Sequence, residues 1–99
     1  MEFWKEIMEW LGEFIDDDED SDWDNEKLTE LGEELEDIYD AAQEIVESGN
    51  AGLIPYASDV MMLIEGTKEA MNQDNHRRIE TLLRRLHKLV EYIGQHYDD

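Results

Sequence analysis

Cysteine is absent from these 99 residues, proline occurs once, and lysine and arginine together number only eight. Without cysteine there is no disulfide framework, no thiol nucleophile and no thiolate metal site, a composition at home in a reducing cytosol. No apolar run approaches the ~20 residues that cross a bilayer, and the first residues lack the basic start and apolar stretch of a signal peptide, so a cytoplasmic location is expected. Period-two alternation and Asn-Gly or Asp-Gly hairpin signals are missing too, which argues against strands. Set against 28 Asp and Glu, the eight bases leave a net charge of -20. A chain this negative is repelled by nucleic acid and by anionic membranes, and its natural partner is a basic protein surface.

Signatures of catalysis are lacking as well. There is no phosphate-binding glycine loop, no His-Glu-x-x-His and no nucleophile elbow. The reading is therefore of a non-enzyme, with no catalytic residues, no cofactor and no metal. Asp16, Asp18 and Asp20 open like a calcium loop, but Ser21 stands where its glycine belongs and Lys27 where its closing glutamate belongs. His76 and His87 are eleven residues apart, ~16 Å along a helix, too far to share one metal, and with His96 they read as surface histidines.

What is present is an asymmetry. Residues 1 to 50 hold 20 acids against Lys5 and Lys27, whereas residues 51 to 99 carry eight acids against six bases. Solubility of a small domain needs a net charge of only about 2 to 8, and excess like charge opposes compactness, so the field on the first half calls for another explanation.

The apolar spacing predicts an all-α fold, a small bundle of about four helices in one domain. Phe3, Trp4, Ile7, Met8, Leu11, Phe14 and Ile15 place a helix over 3–15, with Glu2, Glu6, Glu9 and Glu13 along its other edge. Residues 16–24 form an acidic run whose repulsion and poor helix propensity predict an extended loop between the first and second helices. Leu28, Leu31, Leu35, Ile38, Ala42 and Ile45 give a bundle seam over 26–48, capped by Asp24 or Asn25 and closed by Gly49. Pro55 suits the first turn of a third helix over 55–71, which Gly66 and Thr67 are expected to kink or fray. Asn72 to Asn75 break the chain and cap a fourth helix over 75–94, with Ile79, Leu82, Leu83, Leu86, Leu89, Val90 and Ile93 as its apolar stripe and Gly94 as its end.

Opposite the second helix's leucine seam lie Glu26, Glu30, Glu33, Asp37, Asp40, Glu44 and Glu47, separated by alternating steps of four and three. At helical rise this is one negative charge per ~5 Å, against one phosphate per ~3.4 Å of a DNA strand. An ordinary solvated face interleaves Lys or Arg at i+4 and gains roughly 0.2 to 0.5 kcal/mol per pair, while like charges at that spacing cost as much. No base follows Lys27 in this stripe. Adaptation to high salt would spread acid over the whole surface, and the second half is nearly neutral. The stripe is thus expected to imitate nucleic acid, with Asp17, Asp18, Asp20 and Asp22 of the loop extending it. Trp23 is either an aromatic anchor for an arginine of the partner or a staple folded onto the bundle. On the fourth helix, Arg77, Arg84 and Lys88 stand opposite the core face with Arg78 and Arg85 on a flank. They are expected to pair within the chain, as Glu80 with Arg84, and offset the acidic helices, or else to form a separate contact patch or a surface that pairs with the acidic half of a second copy, so a homodimer stays open.

Ile38, Tyr39, Asp40, Ala41 and Ala42, followed by Ile54, Pro55, Tyr56, Ala57, Ser58, Asp59, Val60, Leu63 and Ile64, resemble phage antirestriction proteins of the overcome-classical-restriction type, which are acidic helical DNA mimics. The resemblance covers about a quarter of the chain, and the fourth helix departs from it by carrying five bases. Acidic anti-CRISPR proteins occupy the same niche. The resemblance implies a phage-encoded inhibitor acting in the host cytoplasm on the basic nucleic-acid-binding groove of a defence protein, a restriction or CRISPR nuclease complex. The alternatives are an acidic chaperone or adaptor, an immunity protein for a basic partner, or a halophilic structural domain.

Overall fold

A computed structural model describes residues 3–16 and 25–97. They form four helices, α1 (Phe3–Asp16), α2 (Asn25–Ser48), α3 (Ile54–Asn72) and α4 (His76–His96), with no strand among the described residues. The protein is an all-α helical bundle, as the apolar spacing predicts.

The chain runs up and down. Gly32 and Glu36 of α2 meet Met71 and Lys68 of α3, Tyr56 and Gly66 of α3 meet Tyr92 and Leu82 of α4, and Trp4 and Gly12 of α1 meet Gly94 and His87 of α4. In each pair one number rises as the other falls, so neighbouring helices are antiparallel, as short turns between helices require. The close packing runs α2 on α3, α3 on α4 and α4 on α1, which sets α2 and α4 at opposite corners of the bundle. That diagonal decides where the charge goes.

Each helix turns one apolar stripe inward. Leu11, Leu31, Leu35, Ile38, Ile64, Ile79, Leu86 and Ile93 are wholly removed from solvent, with Trp4, Ile7, Phe14, Ala42, Ile45, Ala57, Val60, Leu83 and Val90 around them. Burying one such side chain contributes roughly 1.5 to 3 kcal/mol, and this shared core is what holds helices whose outer faces repel one another.

The helix ends follow local chemistry. Gly49 takes φ 77°, the left-handed conformation that stops α2 without the steric cost a side chain would bring. Pro55 lies in the first turn of α3, and the Asn75 side chain accepts a hydrogen bond from the Arg78 N–H at 3.3 Å to cap α4. Two expectations are corrected. Gly66 and Thr67 do not interrupt α3: Gly66 faces Leu82, and buried Thr67 donates its hydroxyl to the Leu63 carbonyl at 2.7 Å, so its polar group is satisfied inside the helix. Gly94 does not end α4, which continues to His96. Gly94 lies inside the helix against α1, where a Cβ would sit 3.6 Å from the Trp4 Cβ, an ordinary contact that leaves room for a methyl group and little more.

Candidate interaction surface

The stripe stands on the longest helix. Leu31, Leu35, Ile38, Ala42 and Ile45 pin one side of α2 to the core, and its 24 residues extend ~36 Å without a break. Glu26, Glu30, Glu33, Asp37, Asp40, Glu44 and Glu47 are all exposed, and at 100° per residue they fall within an arc of about 100°. The structure thus presents the seven predicted carboxylates of α2 as a single exposed row. Asp17, Asp18, Asp20, Asp22 and Trp23 lie outside the described residues.

Contacts on the two flanks of α2 orient the row. On one flank Glu36 pairs with Lys68 of α3 at 3.9 Å, an exposed pair of the kind that contributes little to stability. On the other flank, toward α1, the Trp10 indole N–H donates to the Glu30 carboxylate at 3.4 Å. The Lys27 ammonium lies 5.0 Å from the centre of the Phe14 ring, and the Trp10 and Phe14 rings pack at a tilt of 31° with centroids 4.8 Å apart. α1 and α2 approach each other less closely along their backbones than the other neighbours do, and these large side chains span the seam. Lys27, the one base within the span of the row, is half-buried over an aromatic face.

α1 adds a second row. Glu6, Glu9 and Glu13 are exposed opposite Trp4, Ile7, Leu11 and Phe14, while Glu2 lies outside the described residues. Trp10 sits at the edge of the seam between the two rows, and its role was missed by pattern reading. Its spacing from Phe3, Ile7 and Phe14 is the signal that could have found it.

Burial and the crowding of charge both act on Glu34. Partial burial pushes its carboxyl above the usual range, and the charges of Asp37, Glu30 and Glu33 push it further the same way. Three members of the row therefore act on one neighbour. Glu34 lay outside the predicted set because it falls between the row and the core on a helical wheel.

The bases are elsewhere. Arg77, Arg78, Arg84, Arg85 and Lys88, five of the eight bases, are exposed on α4, the helix diagonal to α2. The histidines are not all on the surface as expected. His87 is half-buried against α1, its Nε2 3.4 Å from where a Gly12 Cβ would lie. Among the described residues no group of three or more His, Asp or Glu could hold a metal ion, and no helix is long and apolar enough to cross a membrane. Comparisons with protein-family models, with curated proteins and with solved structures returned no match.

Proposed function

We propose that this chain is a non-enzymatic DNA mimic, an inhibitor that occupies the basic nucleic-acid-binding groove of a defence protein such as a restriction or CRISPR nuclease complex. The observation that carries the reading is the exposed row of seven carboxylates on unbroken α2. A row of fixed charge on a rigid rod meets a basic groove already ordered, so association is steered by the field and loses little conformational entropy. The longest extent of the molecule, 38 Å, is close to one turn of B-DNA at about 34 to 36 Å. The loop acids Asp17, Asp18, Asp20 and Asp22 add to the same half of the chain, and the phage-encoded setting implied by the antirestriction resemblance puts the encounter in the host cytoplasm.

The test is inhibition of DNA cleavage by purified restriction and CRISPR nuclease complexes, with the wild type and with Glu33→Gln, Asp37→Asn, Asp40→Asn and Glu44→Gln combined. Inhibition by the wild type that is lost in the folded quadruple variant supports the proposal. Equal inhibition by both sinks it.

A further inference from the structure

The exposed side chain least explained by the acidic face is Met62, which is 66% accessible on α3. It lies beside a shallow groove of ≈ 420 Å³ between α3 and α4, lined by Asp59, Met62, Leu63, Arg85, Lys88 and Leu89. At one end of the same seam Tyr56 stacks on Tyr92 and His96 lies tilted against Tyr92, with ring centroids 4.2 Å apart in each pair. Here an apolar centre is edged by one carboxylate and two bases. It lies in the nearly neutral second half of the chain, away from the acidic row of α2, so two copies carrying -20 each can meet here without setting their acidic rows against each other.

We propose that the α3–α4 seam is a self-complementary surface through which two copies of this chain form a two-fold dimer. The register of α3 against α4 supplies the geometry. Tyr56 lies level with Tyr92, and Gly66 with Leu82, so Asp59 lies about level with Leu89 and Lys88. A two-fold axis along the seam sets α3 of one copy over α4 of the other and keeps each residue at its own level. Asp59 then faces Lys88 of the second copy, and the same pair recurs on the other side of the axis. Met62 of each copy covers Leu63 and Leu89 at the centre, which removes the exposed methionine from water. Because α2 occupies the corner diagonal to α4, the acidic rows stay uncovered, and a dimer presents two of them. This assembly goes beyond the mimic reading and does not depend on it.

Sedimentation equilibrium of the full chain at about 100 μM in about 0.15 M salt is expected to give about 23 kDa, twice the chain's 11.7 kDa. Met62→Asp, Asp59→Lys and Lys88→Glu are each expected to weaken dimerisation by about tenfold or more, since symmetry counts every substitution twice. Circular dichroism checks that each variant remains helical. Mixing Asp59→Lys protein with Lys88→Glu protein restores both charge pairs in a heterodimer, and a return to dimer mass on mixing is the decisive result. A monomeric wild type, charge variants that remain dimers, or folded variants that stay monomeric when mixed would each overturn the proposal.

Discussion

Neutralising Glu30, Asp37 and Glu44 together is expected to stabilise this protein, although all three are exposed and a conventional surface substitution changes little. The row advances from Glu26 to Glu47 by alternating steps of four and three, and every adjacent pair includes one of these three residues. Glu30→Gln, Asp37→Asn and Glu44→Gln in one chain therefore remove every like-charge contact along the row. At roughly 0.2 to 0.5 kcal/mol each, the six contacts sum to about 1 to 3 kcal/mol at low salt. For a domain of this size that corresponds to a rise in Tm of about 5 to 20 °C. Gln at position 30 retains an oxygen for the Trp10 N–H, so the seam to α1 is preserved. Calorimetry at low salt and again near 1 M salt separates the effect from propensity. Screening shortens the Debye length to ~3 Å at 1 M, so the gap between variant and wild type should narrow, chiefly because the wild type gains. A triple variant that melts lower than the wild type at low salt would refute the reasoning, for it would mean that the row is held by partners the repulsion argument leaves out.

Four further outcomes follow from particular contacts. Glu34 has its folded-state pKa raised above that of an ordinary carboxyl by burial and then by Asp37, Glu30 and Glu33, so its contribution to stability is fully present below the ordinary value and is lost as pH rises through the raised one. Mild acidification from neutral pH should thus raise Tm, and Glu34→Gln should raise Tm at pH 7 while flattening that part of the profile. Gly94→Leu forces α4 away from Trp4 and is expected to cost about 1 to 3 kcal/mol by urea unfolding, whereas Gly94→Ala, whose Cβ meets Trp4 at an ordinary 3.6 Å, should be tolerated. Leu35→Ala opens a cavity in the fully buried seam of α2 and should cost about 2 to 5 kcal/mol in the same assay. Thr67→Val removes a hydroxyl that bonds only to the preceding turn of its own helix and should shift stability by less than about 1 kcal/mol, while Thr67→Asn at this buried site should destabilise clearly.

The secondary structure was legible because helical period and end signals agree in this chain. The spacing from Leu31 to Ile45 dictates both the buried side of α2 and, by subtraction, the exposed row of carboxylates, and Gly49, Pro55 and Asn75 mark ends by chemistry that acts within a few residues. What was not legible depends on neighbours remote in sequence. Gly94 looks like a stop signal until α1 is seen beside it, and His87 looks like a surface histidine until Gly12 is placed opposite. Thr67 resembles a helix breaker unless its hydroxyl is known to find the Leu63 carbonyl. Trp10 is the comparable case within the candidate site. It could be ranked as one more apolar residue of α1, but its bond to Glu30 across the seam follows from how α1 and α2 flank each other, which no single helix encodes. Lys27 is similar, since its place over the Phe14 ring depends on how α1 lies beside α2.

Competition by duplex DNA for the complex between this chain and a nuclease it inhibits tests the central claim most directly. A mimic and a duplex cannot share one basic groove. Titrating unlabelled duplex into the preformed complex should therefore displace the chain in full, with an apparent affinity that falls in proportion to the free duplex and weakens steeply as salt rises. A ternary complex of nuclease, duplex and this chain, stable at saturating DNA, would contradict the account.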